Sequence, residues 1–525
     1  MRAIFLLLAG VWLGAAGPCP IGPGVPCPSA RQVTIPLTTA VPQGWTYSNA
    51  GPYPPTYLNN GVVTTTPSNL SPYSVPTTVQ WSATNTVPTF NNAIAWDGSL
   101  SAMLLADNST SGAHYVLTPL VSYTSGTSYT LSAFLKAGTA TVGQVIGSTS
   151  AFGTGLWATC DLTNGIMGSV GAGVISSGIT PLSGGWYRCW ATGPATATAS
   201  AYLTISMTNN ASTTTRNPPY VGSGEALYVW GGQVQQGALT AYVPTSGSAV
   251  ILPRFETNAA GAALGYLNEP TAQNIYLNSQ APATQTITVT AQAYTLSFYG
   301  TGTIALTGTY TGTLVGTGAG NLVQLTFTPT AGALIATLTG TVTNVQVEAG
   351  SFATSRIITA GAAVTRAADS GLSFPTSQYP WWQTAMGWTL GMQFTSAGTQ
   401  ASGAIPGGCY GSGGVAMNSD YILSSVGGIT NRGIGVIGYA SATTSYQNNP
   451  TAGTLARASL SVSPVLLWAF STGGSARSVA VSGMPKVTTC GIGALNAAGQ
   501  FNGHFLSVTL RAGAASAAWL QGGGY

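Results

Sequence analysis

Asp97 and Asp107 are the nearest two carboxylates in this chain, and they stand ten positions apart. Glycoside hydrolysis needs two carboxyl groups held about 5 to 9.5 Å apart, so any such pair has to be assembled from loops distant in sequence. His114 and His504 have no acidic neighbour in sequence to orient an imidazole, and no G-x-S-x-G elbow presents a serine. A calcium site takes six to eight oxygens; Asp97 and Asp107 with backbone carbonyls supply a weak one at most. No CxxC or His/Cys spacing suits zinc. With nine Asp/Glu and two His in 525 residues, the chain is expected to lack an enzymatic site and to need no cofactor.

The thirteen Lys and Arg run from Arg2 to Arg511 without a cluster that neutralises a row of phosphates, which argues against nucleic acid as a partner. What remains abundant is ring and amide: 13 Trp, 23 Tyr and many Asn. Aromatic faces stack on sugar rings while amides and hydroxyls read the sugar hydroxyls. Large rings also fill sandwich cores, and Trp186, Trp190 and Trp230, in regular strands, are read as structural. The candidates for contact are Trp96 in Trp96-Asp97-Gly98, Tyr115 beside His114, Tyr379, Trp381 and Trp382 around Pro380, and Tyr410 on a Gly-rich loop. Trp381 and Trp382 are adjacent, so an extended backbone points them to opposite sides and leaves one ring exposed.

The elements that must carry these rings are strands. Charged residues make up only 4% of the chain, Gly supplies 70 positions, and the 45% hydrophobic content is interrupted by Thr, Ser, Gly or Asn at alternate positions. Short alternating runs separated by Gly, Asn, Ser and Pro predict an all-β chain of tandem antiparallel sandwiches of jelly-roll type, with no amphipathic helix of three turns. In Tyr129-Thr-Leu-Ser-Ala-Phe-Leu-Lys136, the residues Tyr129, Leu131, Ala133 and Leu135 are expected to face a core and Thr130, Ser132 and Lys136 the solvent.

Two modules close in the same way. Tyr129-Thr-Leu-Ser132 recurs as Tyr294-Thr-Leu-Ser297, and Gln233-Val-Gln-Gln-Gly237 recurs as Gln346-Val-Glu-Ala-Gly350. The expected divisions are a signal peptide at 1–17, a Pro/Gly-rich leader at 18–59, a sandwich at 60–254, a reduced repeat at 255–368 and a third sandwich at 369–525, which lacks the closing signature. The apolar run from Ala3 to Ala16 is too short to span a bilayer and ends in small residues, as in an export signal. Six cysteines in an exported chain suggest three disulfides, Cys19 with Cys27, Cys160 with Cys189, and Cys409 with Cys490; buried thiols are the alternative. Asn69, Asn108 and Asn210 open glycosylation sequons. Sparse charge leaves sheet edges weakly protected, so a homo-oligomer is expected.

Gly185-Trp-Tyr-Arg-Cys189 with Asp161-Leu-Thr-Asn-Gly165 before it, Leu227-Tyr-Val-Trp-Gly-Gly-Gln-Val234 after it, and Ala363-Val-Thr-Arg-Ala-Ala-Asp369 further on resemble bacteriophage virion proteins of the tail-fibre or head-fibre type. Ile492-Gly-Ala-Leu495 with Phe501-Asn-Gly-His504 is similar to the penultimate strands of their concanavalin A-like domains. The resemblance covers about residues 60–525. It implies carbohydrate-binding-module-like jelly rolls, a terminal laminin-G or concanavalin A-like sandwich, trimeric assembly, and contact with a cell-surface or extracellular polysaccharide from the virion surface or after secretion. The enzymes of that last fold carry E-x-D-x-E on one strand, which this chain lacks. Non-catalytic adhesion is the leading expectation, a purely structural decoration role the second and a glycoside hydrolase the third.

Overall fold

The computed structural model describes residues 32–515 except 44, 50–55, 60–61, 259, 384–386, 397–405, 412–420, 427–433, 438–442, 446–454, 463–465, 472–476, 481–486 and 495–500, together with residue 520. The expected signal peptide and the Cys19 and Cys27 pair lie outside these residues. Among the described residues from 32 to 515, apart from the four-residue helix Thr149–Phe152 and two 3-10 turns, every regular element is a strand, and the ladders are antiparallel. The chain is all-β, as alternation in the sequence predicts.

The first sandwich packs two six-stranded sheets. The front sheet runs Ser176–Pro181, Trp186–Pro194, Ser128–Ala137, Ala226–Gln236, Leu100–Asp107, Thr86–Ile94. The back sheet runs Ile166–Val170, Trp157–Asp161, Val142–Gly147, Leu203–Met207, His114–Leu117, Ser82–Thr84. Leu131, Leu135 and Val229 of the front sheet meet Val145, Ile205 and Met207 of the back sheet in one core. The second sandwich is smaller. Its sheets are Gln285–Val289, Gly332–Thr339, Thr303–Gly308, Gly312–Val315 and Gly318–Phe327, Tyr294–Gly300, Val342–Ala349.

Matching residues clamp both repeats. Asn69 donates through Nδ2 to the Gly232 and Val243 carbonyls and accepts at Oδ1 from the Ser71 and Val234 amides. Asn274 does the same with the Val345 and Ile357 carbonyls and the Tyr276 and Val347 amides. The first Gln of each closing signature accepts from the returning chain at 2.8 Å, Gln233 from the Val243 amide and Gln346 from the Ile357 amide. Tyr129 and Tyr294 accept the Thr124 and Thr290 amides, and Thr130 and Thr295 donate to the Gly237 and Gly350 carbonyls. Each clamp ties buried backbone groups that would otherwise lose their partners to burial. Asn69 is fully buried, so its sequon offers no accessible acceptor.

The returning chain also corrects the expectation that Thr130 and Ser132 face water. Both are fully buried, because the segment after Gln236 folds back over the outer face of the front sheet.

The third sandwich draws on segments far outside 369–525. Its first sheet orders Arg254–Thr257, Ala263–Asn268, Gly503–Ala512, Trp388–Ser396, Leu455–Val462, Leu466–Ser471, Arg477–Ala480, with Gln32–Pro36 also paired to Gly503–Ala512. The second sheet begins with Thr46–Asn49 beside Asp369–Pro375. The leader and the strands just after residue 253 thus pair across the divisions drawn from sequence at 59 and 255. Composition gave no sign of this, since pairing partners lie hundreds of residues away.

Candidate functional site

The outer face of the first sandwich's front sheet gathers the largest rings of that module. A bulge at Gly231 and Gly232 opposes Trp230 to Phe134 and Gln233 to Ser132, setting all four on the outer face. Gly231 has φ +64, and a Cβ there would lie 2.5 Å from the Phe134 ring, so ring packing and backbone sign both require glycine. Phe134, Trp230 and Trp186 are buried in a cluster with Ala95 and Ala102, and Tyr242 of the returning chain closes on Phe134 and Trp230 at 5.1 and 4.9 Å. Arg188 donates to the Thr240 carbonyl at 2.7 Å and to Ser132 Oγ at 3.1 Å, with its guanidinium 5.4 Å from the Phe134 ring centre.

Trp96 lies on top of this cluster. Its ring stacks on Phe134 at 5.2 Å and 18°, yet keeps 39% of its surface exposed. The Ala95–Ser99 turn holds it: Ala95 N donates to the Ser99 carbonyl, and Asp97 Oδ1 accepts the Ser99 amide and hydroxyl at 2.9 and 2.6 Å. Gly98, at φ +88, completes the turn. Beneath it, Trp230 Nε1 donates to Ser101 Oγ at 2.9 Å. Burial, with Asp97 adding to it, pushes the Tyr242 hydroxyl up to about 12, so it stays a neutral donor to Ser74 Oγ at 2.7 Å. Burial lowers Arg188 to about 10. Chemically this is a flat, rigidly backed ring with a carboxylate and hydroxyls at its edge. It can stack and form hydrogen bonds.

The other sequence candidates do not join it. Tyr115 is half-buried on the back sheet, paired with Ser206 and Thr84, on the opposite side of the sandwich. Trp382 is fully buried, donates to the Thr389 carbonyl at 2.9 Å and packs 4.8 Å from Trp388; it is core, because its N–H finds a partner only inside the third sandwich. Trp381 is half-buried, edge-on to Tyr379 at 6.4 Å. Tyr379 is half-buried as well and accepts Trp45 Nε1 at 2.9 Å; burial raises its hydroxyl above the ordinary value. Tyr410 is half-buried on Gly407–Tyr410, opposite Thr489 and next to the disulfide.

Cys409 and Cys490 are directly opposed on adjacent strands and bonded. Cys160 and Cys189 are free thiols, which corrects the expected pairing. They lie on facing sheets rather than neighbouring strands, both fully buried, with Cys160 Sγ donating to Met167 Sδ at 3.9 Å, and burial raises the Cys189 thiol well above its usual range. Apolar surroundings of this kind favour the neutral thiol.

Most of the described acids are engaged singly or locked together. Asp107 Oδ1 accepts the amides of Ser223, Gly224 and Glu225, and Oδ2 accepts the Tyr220 hydroxyl. Asp97 sits just before the start of Leu100–Asp107 and Asp107 at its end, so the two do not converge on a calcium ion. Glu269 and Asp369 do converge, but on Arg254, in a buried network with Arg366 and Ser355. Tyr47 of the leader donates to Asp369 Oδ1 at 2.8 Å. The arginines hold the Glu269 carboxyl down at about 2 against the desolvation that raises it. No open cleft reaches these carboxylates, whose side chains are 4% and 0% exposed. His504, read from sequence as lacking an acid neighbour, has Glu256 Oε2 at 2.7 Å from Nε2; 248 residues separate them, and no local pattern signals the pair. Among the described residues no three His, Cys, Asp or Glu group as metal ligands.

No protein-family model matches the chain, and no curated protein matches it in sequence. Among solved structures it is similar to the N-terminal CBM22-1-CBM22-2 tandem domain of Xyn10C from Paenibacillus barcinonensis, at 9% identity and a TM-score of 0.20, over 89% of this chain and 100% of that one. A likeness at that score has no bearing on this chain's ligand or chemistry.

Proposed function

We propose that this protein is a non-catalytic glycan-binding adhesion protein, a phage-fibre or virion-surface component or a secreted prophage-derived relative. It meets a cell-surface or extracellular polysaccharide through exposed rings. The observation that carries the reading is Trp96: a tryptophan 39% exposed on a fixed turn, backed by the stacked Phe134 ring and edged by Asp97 and Ser99. A ring kept open against the pull of a neighbouring aromatic cluster is suited to the apolar face of a sugar, and the polar edge to its hydroxyls. Display on a homo-oligomer raises weak single-site affinity by avidity.

Binding of the full chain to a glycan array, with reducing-sugar release measured on each hit, tests this. Binding without release is expected, weakened about tenfold by Trp96→Ala, equivalent to about 1.4 kcal/mol. The same change should lower stability by only about 1 kcal/mol, the worth of one ring pair. Absence of binding to any glycan points to a structural decoration role. Sugar release abolished by replacing one acid points to a hydrolase.

A further inference from the structure

A cleft of about 580 Å³ lies between the first and second sandwiches. Matching parts of the two repeats form its walls. The Thr124–Ser128 turn and the 236–240 closing loop belong to the first, and the 356–364 linker that closes the second stands opposite. The walls meet where Gly126 faces Ala360, with room for no more than a methyl contact of 3.5 Å.

The lining has a particular chemistry. Thr127, Ser128 and Gln280 line the cleft, and their side chains form no hydrogen bond with another described residue. Thr240 and Thr359, also in the walls, have their hydroxyls engaged with Gln235 Oε1 and the Tyr276 carbonyl. Ile358 contributes an aliphatic surface that is 41% exposed. Arg356 and Arg366 border the cleft, but their guanidiniums are held by Ser297, the Asn344 carbonyl, the Pro270 carbonyl and Glu269. No carboxylate lines it. The space therefore offers free hydroxyl and amide groups beside an apolar patch, without an available charge.

We infer that this inter-module cleft is a second saccharide site, separate from the Trp96 face, that takes a neutral oligosaccharide of about two or three rings, a size matched to cavities of this volume. Free hydroxyls and the carboxamide pair with sugar hydroxyls, and Ile358 packs on the C–H face. The inference shares the ligand class of the proposed function but none of its residues.

Calorimetry on the full chain with maltotriose, cellotriose, xylotriose and the N-acetylglucosamine trimer tests it, with trigalacturonate as the anionic control. The blocking variant is Gly361→Trp, since a Cβ at Gly361 meets nothing within 4 Å; Ala362→Trp, at an exposed lining position, provides a second block if the first does not fold. At least one neutral trisaccharide is expected to bind, to weaken tenfold or more in either folded blocking variant with Tm unchanged, and to bind Trp96→Ala as it binds the parent. Binding that disappears in Trp96→Ala and is unmoved by both blocks overturns the cleft and leaves the exposed face standing. The reverse pattern supports the cleft and leaves the Trp96 face to be decided by the glycan array. Preference for trigalacturonate, or no binding by any neutral probe, overturns the cleft site.

Discussion

The first and second sandwiches share one clamp and differ in what they build on it. Position for position, Asn69 matches Asn274, Ser132 matches Ser297 and Gln233 matches Gln346, each with the same partners. Even the left-handed bulge residue recurs, as Gly231 at φ +64 and Asn344 at φ +51. An arginine covers the ring two residues after the matched serine in both, Arg188 over Phe134 at 5.4 Å and Arg356 over Tyr299 at 5.0 Å. Trp230, however, is replaced by Thr343 opposite that ring, and no counterpart of the Trp96 hairpin follows. What the repeats keep holds the returning chain; what only the first has is a stacked, partly open aromatic face. The clamp belongs to folding, and the rings are what the first sandwich adds to it.

Removing the clamps is the strongest way to break this comparison. Asn69→Ala and Asn274→Ala each delete four buried hydrogen bonds and orphan backbone groups, an expected loss of about 4 kcal/mol in urea unfolding. If the clamps are equivalent, the two variants fall by similar amounts; a mild loss in one alone would dissolve the equivalence.

The next effect separates the second sandwich's anchorage from the first's. Its entry and exit strands are tied to the third sandwich by Arg254, Glu269, Arg366 and Asp369, four of the chain's few charges. Glu269 is depressed to about 2, below the ordinary glutamate value of about 4.3. Its stabilisation is therefore present above about pH 4.3 and fades as the pH falls towards 2. Glu269→Gln should cost about 3 kcal/mol at pH 7 and flatten acid unfolding monitored across that window. An unchanged acid limb would remove Glu269 from the anchorage.

The smallest effect concerns one of the two differences between the closing signatures, Gln235 against Glu348; the other is Gln236 against Ala349. Burial raises the Glu348 carboxyl above its usual range despite bonds from Gln346 and Thr354. A raised acid contributes stability below its unfolded value and loses it as the pH rises through the folded one. Glu348→Gln, which restores the residue of the first repeat, should leave stability at pH 4 nearly unchanged and raise the melting temperature at pH 8. Equal melting of variant and parent at pH 8 would place no charge cost at this position.

Much of the architecture was legible locally. Alternating side chains fix strands because successive residues face opposite sides of a sheet, and the repeated Tyr-Thr-Leu-Ser and Gln-Val pairs marked two related modules before any contact was known. The Cys409 and Cys490 partnership was legible too. The candidate site was legible only as a set of rings without an address. Trp96 and Trp382 both sit at turns by sequence, yet one is 39% exposed and the other fully buried, because the third sandwich folds over the second of these while only Phe134 backs the first.

By itself, then, the sequence determined an all-β chain, the repeat and the scarcity of ionisable groups, since these follow from residue type and near-neighbour spacing. Tertiary structure alone decided that Gln32–Pro36 and Arg254–Thr257 complete the third sandwich, that Glu256 finds His504, that Cys160 meets Cys189 across two sheets, and which rings stay open. Those outcomes rest on contacts between residues up to several hundred positions apart, and no local pattern of side chains encodes which distant surface will cover a given face.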